Sequence, residues 1–375
     1  MKRSLPLLSP LVALLFVVPS CGAKTGLTVP DAPMDAPPMM DVPDSPDAPL
    51  ICLPGEFPIT PATADVVFVI DRSGSMRLTL DGLEDRPPDE WRWRVLRDAL
   101  RDAFSTLDVR VNVGAKFYPD PIDPSMPLVP PEEACRSSGG IDVPISPTGE
   151  SRVISIFDAT EPLGGTPTAV AIAEASAALR RADSARRFIV LATDGGPNCN
   201  PDPRIDPFSC TCTSAPDACL IPDVGVYSCL DEGRTISTIS MAAGSGAPVF
   251  VIGIEDPTRP DFASVLDAMA VAGGRPREIT MPGDRAFYSV RSAIELRDAL
   301  EVITSSISLC GFVSPSVPAD ESTFFVEIDG VRIPADGWRW VDRARGELEL
   351  GPEACELAQR PDTDIIASVD DCPDL

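Results

Sequence analysis

The chain has no histidine in 375 residues. That removes imidazole acid–base catalysis, Ser-His-Asp and Cys-His hydrolysis, and His-ligated zinc catalysis. Basic residues are scarce as well. Thirty-one Lys and Arg face 57 Asp and Glu, for a formal net charge of -26 and a pI near 4.3. A surface this acidic disfavours nucleic acid and anionic lipid headgroups, and favours cations or basic protein surfaces. Solubility alone is also a sufficient reason for such a charge. The one long apolar stretch, Leu5 to Val18, is too short and proline-interrupted for a membrane span.

That stretch follows Lys2 and Arg3, the layout of a secretory signal. Val18-Pro19-Ser20-Cys21 resembles a bacterial lipobox, whose cysteine becomes the lipidated mature N-terminus, although Pro19 departs from the usual pattern. Gly22 follows rather than aspartate, which by the same resemblance implies export to the outer membrane of a bacterial envelope. The alternative is ordinary secretion, with Cys21 discarded or left free. Residues 22–50 repeat Asp-Ala-Pro steps with few apolar anchors. Such a segment buries too little to offset ordering entropy and reads as an extended, disordered linker.

Eleven cysteines fit this reading, because lipidating Cys21 leaves ten, enough for five disulfides in an oxidising compartment. Cys52 precedes the main domain; Cys135, Cys199, Cys210, Cys212, Cys219 and Cys229 fall in its loops; Cys310, Cys355 and Cys372 lie beyond it. If the loop cysteines pair among themselves, Cys52 must join one of the last three. A zinc site in the 199–229 cluster is the competing use of those thiols.

The most informative segment is Asp71-Arg72-Ser73-Gly74-Ser75, directly after the apolar run Val66-Val67-Phe68-Val69-Ile70. The run reads as a strand buried on both faces of a parallel sheet. One carboxylate and two hydroxyls then emerge at its C-terminal end, where open α/β sheets bind ligands. Alternating oxygens on a tight loop suit a hard cation such as Mg²⁺. Gly164-Gly165-Thr166-Pro167-Thr168 opens an Ala-rich helix, with Pro167 expected as its first residue and Thr166 as its cap. Thr193-Asp194-Gly195-Gly196 ends another apolar strand, 188–192.

Together these three segments resemble the von Willebrand factor type A (VWA) domain and its metal-ion-dependent adhesion site. The family's first-loop ligands match Asp71, Ser73 and Ser75, its second-loop threonine matches Thr166, and its third-loop aspartate matches Asp194. The resemblance covers roughly residues 62–309. It implies a doubly wound, mostly parallel sheet with helices on both faces, and a divalent cation, Mg²⁺ first with Mn²⁺ or Ca²⁺ as alternatives. It further implies a partner protein whose Glu or Asp carboxylate completes the cation's shell. Because chain termini in this fold lie close together, Cys310 is the expected partner of Cys52.

The rest of the chain supports that architecture. A helix near 91–107 has Trp93, Leu96, Leu100, Ala103, Phe104 and Leu107 on one face. Further strands are expected near 109–117, 141–145, 249–254 and 286–289, and helices near 151–159, 231–243, 261–272 and 291–306. The last should bury Ile294, Leu300 and Ile303, leaving Arg291 and Arg297 solvated. The insertion 197–230 starts beside the proposed cation and either shapes ligand choice or is only a stabilised loop. From 310 to 375 the pattern turns to alternation, with a hairpin at Asp329-Gly330 and Trp338 and Trp340 on one strand face. This is a small antiparallel β module stapled by cysteines. The domain reading is signal 1–21, linker 22–50, VWA domain 51–309 and β module 310–375.

Functionally, the leading expectation is a non-enzymatic cell-surface binding protein, touching the membrane only through its lipid anchor and binding no nucleic acid. Removing Asp71 or Asp194 should abolish metal-dependent binding without unfolding the domain. An envelope scaffold with a purely structural cation is the second reading. A metal-dependent hydrolase is the third, weakened by the lack of an evident general base.

Overall fold

The computed structural model describes residues 52–372, except 108–109, 124, 127, 183, 203, 215–216, 223, 278, 282, 309 and 361. Cys21, the signal segment and the 22–50 linker lie outside the described residues.

Six strands build the central sheet: β1 (Ala64–Asp71), β2 (Val111–Tyr118), β3 (Val143–Ser146), β4 (Arg186–Thr193), β5 (Val249–Ile254) and β6 (Tyr288–Val290). Their spatial order is β3-β2-β1-β4-β5-β6, parallel throughout except for the antiparallel edge strand β3. Every residue of β1 is buried, as expected of a continuous apolar run covered on both faces. Its side chains alternate between two cores. Val66, Phe68 and Ile70 face α1 (Arg92–Ser105), α2 (Gly149–Ala159) and α6 (Ala293–Ser308). Val67 and Val69 face α3 (Thr168–Leu179), α4 (Glu232–Gly244) and α5 (Phe262–Ala272). The fold is therefore α/β and doubly wound.

On α1, Trp93, Leu96 and Leu100 are fully buried and Phe104 nearly so, while Ala103 and, just past the helix, Leu107 pack at the margin. On α6 the buried phase is Leu296, Leu300, Ile303 and Ile307, while Ile294 is 68% exposed. Ile294 was expected inside. It precedes Leu296 by two residues, which turns it about half a revolution away from the 4-3-4 stripe.

The C-terminal region folds as two four-stranded antiparallel sheets around one core that includes Phe324, Val326, Leu348 and Ala367. Trp338 and Trp340 pack against Phe324 with ring centroids 5.0 and 4.6 Å away, so they belong to this core. The module also recruits chain from before β1. Gly55–Pro58 pairs with Ile365–Val369, and Thr60–Pro61 pairs with Gly311–Val313. Residues 55–61 therefore sit in the β module and not in the α/β domain, because they fill edges that the C-terminal strands leave open.

Five disulfides form, as cysteine parity implied, and they fit an oxidising compartment. Cys52 bonds Cys372, and Cys310 bonds Cys355, so the expected Cys52–Cys310 pair is corrected. The Gly55–Pro58 strand, lying beside the last strand, carries Cys52 to the very end of the chain. Among the described residues no helix is long and apolar enough to cross a membrane.

Candidate metal centre

Asp71 ends β1 and Asp194 follows β4, its neighbour in the sheet, so both carboxylates reach the same C-terminal edge. Asp71 is fully buried. Its Oδ1 accepts from the Ser73 backbone N–H at 2.8 Å and its Oδ2 from the Thr193 hydroxyl at 2.6 Å. The Ser73 and Ser75 hydroxyls lie 3.0 Å apart, and Ser75 Oγ donates to Asp194 Oδ1 at 2.9 Å. Asp71, Ser73, Ser75 and Asp194 thus form one contiguous polar cluster. Ser75 is half-buried, whereas Asp71, Ser73, Thr166 and Asp194 are buried.

The second loop is fastened to the first by the Gly74 N–H on the Gly164 carbonyl at 3.0 Å, and by the Leu163 N–H on the Arg72 carbonyl at 2.9 Å. Thr166 does not cap the helix. α3 begins at Thr168 with Pro167 in the cap position and no side-chain cap, so Thr166 falls one residue before the cap. Asn198 Oδ1 accepts from the Thr166 N–H at 2.7 Å, and the Asn198 N–H donates to the Thr166 carbonyl at 3.0 Å. The 197–230 insertion therefore holds the second loop directly. The Cys135–Cys199 disulfide packs against Gly165 so closely that a Cβ there would meet both sulfurs.

In a Cys135→Ser/Cys199→Ser double variant, the Gly165 and Thr166 amides are expected to exchange hydrogen faster. Melting stability should fall by about 2–4 kcal/mol from the opened loop. Unchanged exchange at both amides would show that the disulfide does not hold this loop.

The cysteine cluster is not a zinc site. The Cys210, Cys219 and Cys229 sulfurs do lie within 4.8 Å of one another. They are spent on the Cys210–Cys229 and Cys212–Cys219 disulfides, and a disulfide sulfur offers no thiolate.

The donor set fits a divalent cation of Mg²⁺ size. All its side-chain donors are oxygens. Adjacent ligands on an octahedron with metal–oxygen distances of ~2.0–2.1 Å stand roughly 2.8–3.0 Å apart, as the Ser73–Ser75 and Ser75–Asp194 oxygens do. Two carboxylates are buried together here, and one of them, Asp71, forms no ion pair with Arg or Lys among the described residues. Burial, and after it the charge of Asp194, pushes the Asp71 carboxyl from 3.8 up to about 7. The nearby Tyr118 hydroxyl is likewise raised well above its ordinary range, by burial first and the Asp71 charge second.

A carboxyl whose folded pKa is raised retains a proton that the unfolded chain releases. In metal-free buffer this contribution to stability is full below about pH 4 and is lost as pH rises through about 7. Melts in EDTA are expected to show this fall between about pH 4 and 7, and Asp71→Asn should remove it. A parallel slope in the variant would assign the effect elsewhere.

One participant has no signature in the sequence. Arg92, the first residue of α1, is completely buried and donates from Nη1 to Asp194 Oδ2 at 2.7 Å. Its Nη2 reaches Asp256 Oδ2 at 3.1 Å and its Nε the Thr79 carbonyl at 3.0 Å. Burial works against its charge, but Asp194 foremost and then Asp256 more than offset this and hold its pKa above the ordinary value.

The strand order with one antiparallel edge, helices on both faces, and three loops converging at the C-terminal edge of β1 and β4 define a VWA-like α/β domain. Among solved structures the chain is similar to the PilB minor pilin from Streptococcus sanguinis, at 19% identity and a TM-score of 0.43 over 66% of this chain and 62% of that one. It is similar to the pilus adhesin SpaC from Lactobacillus rhamnosus GG at 15% identity and 0.44, over 82% and 39%. The SpRpn10 VWA domain aligns at 14% identity and 0.39, over 64% and 94%. The chain thus spans less than two thirds of the length of the pilin and of the adhesin. No protein-family model matches the sequence, and no curated protein matches it.

Proposed function

We propose that this chain is a binding protein of the bacterial cell envelope that captures a partner protein's Glu or Asp carboxylate through a divalent cation. Asp71, Ser73, Ser75, Thr166 and Asp194 hold that cation, Mg²⁺ in the first instance, directly or through water. When bound, the ion supplies a positive, partly unsatisfied coordination shell for an outside oxygen. The chain's own residues do the rest. Asp71 and Asp194 provide the negative charge, the serines the hydroxyl donors, and Asn198 with the Cys135–Cys199 bridge keeps Thr166 in place. Lipidation at Cys21 would tether the domain to the outer membrane, with 22–50 as the spacer.

The observation that carries the reading is the contiguous Asp71–Ser73–Ser75–Asp194 cluster at the sheet's C-terminal edge, where the buried Asp71 carboxylate has hydrogen bonds but no ion-pair partner among the described residues. The test is calorimetric titration of Mg²⁺ and Mn²⁺ into the full chain and its Asp71→Ala variant. One-to-one binding lost in the variant is expected. A well-folded wild type with no binding to either ion overturns the reading.

A further inference from the structure

Arg92 has a place in this site that stability does not explain. A buried ion pair contributes little net stability, because desolvating both charges consumes most of their attraction. Yet this guanidinium is inserted between Asp194 at 2.7 Å and Asp256 at 3.1 Å, with no exposed side-chain surface. The loop just after the cation-binding segment fixes it from the other side: the Thr79 carbonyl accepts from Nε, and the Leu78 carbonyl from the Arg92 backbone N–H at 2.8 Å. Asp194 is therefore shared. One oxygen faces Ser75 and the cation position, the other an internal cation.

Resting on the divalent-cation reading above, we infer that Arg92 is a built-in competitor for Asp194 that lowers the site's affinity for the metal and keeps the loaded site from becoming net negative. The charges make the case. When ionised, Asp71, Asp194 and Asp256 with Arg92 carry two net negative charges, and a divalent ion brings the cluster to zero, so the loaded site does not repel a partner carboxylate. Without the guanidinium the three carboxylates would leave the loaded site with one net negative charge. They would bind the ion more tightly and repel a partner carboxylate. Asp256 sets the balance, because every degree to which it holds the fork reduces the pull on Asp194.

Two variants move in opposite directions. Removing the internal cation in Arg92→Gln is expected to raise Mg²⁺ affinity in calorimetry by about ten- to a hundredfold, and to enlarge the Mg²⁺-induced rise in Tm. Asp256→Asn leaves the whole fork on Asp194 and is expected to lower Mg²⁺ affinity several-fold. Asp256 lies at the margin of the site, so this variant serves where Arg92→Gln fails to fold. An Arg92→Gln affinity equal to or below wild type overturns the inference, as does an Asp256→Asn affinity that is unchanged or higher. The wild-type titration reports separately on the divalent-cation reading. If wild type binds no Mg²⁺ but Arg92→Gln does, that reading fails for the native chain, while the competitor role stands in its strongest form.

Discussion

Asp194→Ala is expected to destabilise the chain by about 3–5 kcal/mol, whereas Asp71→Asn should leave it as stable or more stable in metal-free buffer. The two aspartates occupy matching positions in the family pattern, and the sequence gives no reason to separate them. The structure does. Asp194 pairs with Arg92 at 2.7 Å, and both side chains are essentially inaccessible to solvent. Cutting the carboxylate away leaves a guanidinium that cannot lose its proton and cannot reach water. Asp256 still holds one arm but is itself partly exposed. Asp71 has the reverse problem: burial and the Asp194 charge disfavour its ionised form, so an amide of the same shape removes a cost that otherwise needs a proton or a cation. Urea melts of both variants in EDTA test this. Equal losses in the two variants would mean that Arg92 finds another partner, and that the pair is not the support of this edge. Both variants should still lose Mg²⁺ binding, but only Asp71→Asn isolates that loss from folding.

The second large effect is expected at the seam between the α/β domain and the β module. Arg186, at the start of β4, is buried, and its Nη2 donates to the Ile307 carbonyl at the end of α6 at 2.8 Å. Its guanidinium runs directly beneath Gly311, where a Cβ would fall on Cζ and Nε. Gly311 in turn is paired with Glu349 across the sheet, and its carbonyl accepts from the Ala62 N–H at 2.9 Å. Gly311→Ala therefore forces the arginine or the strand to move, with an expected loss of about 3 kcal/mol. In an Arg186→Ala background the same glycine change should cost much less, because the colliding group is gone. If the two losses simply add, the contact is not what keeps Gly311 a glycine.

The strands were the most legible part of the sequence. A five-residue apolar run followed by Asp-x-Ser-x-Ser can be read locally, because burial on both faces demands unbroken hydrophobicity and the loop chemistry follows at once. β5 appears at Val249–Ile254, the span its hydrophobicity marks. The helices followed their apolar phase, and the exception is instructive: Ile294 is apolar but lies off the stripe, and in a first turn nothing covers it. Thr166 was expected to do two things, and the cap is absent because the helix starts at Thr168 with Pro167 in the cap position, while Asn198, thirty-two residues away, bonds the Thr166 backbone. Disulfide partners were not legible, since parity counts bonds but carries no distances.

What the sequence determined by itself is the doubly wound α/β scheme, the oxygen-rich edge where a cation could sit, the count of five disulfides, and the absence of imidazole chemistry. These depend on residue type and local period, which a chain carries wherever it folds. Only the tertiary structure decided that Cys52 meets Cys372, that residues 55–61 complete the C-terminal sheets, and that Arg92 pairs with Asp194. Cys52 and Cys372 lie 320 residues apart in the sequence, and Arg92 and Asp194 lie 102 apart. Such pairings are set by how twisted layers close on one another, and no local pattern encodes them.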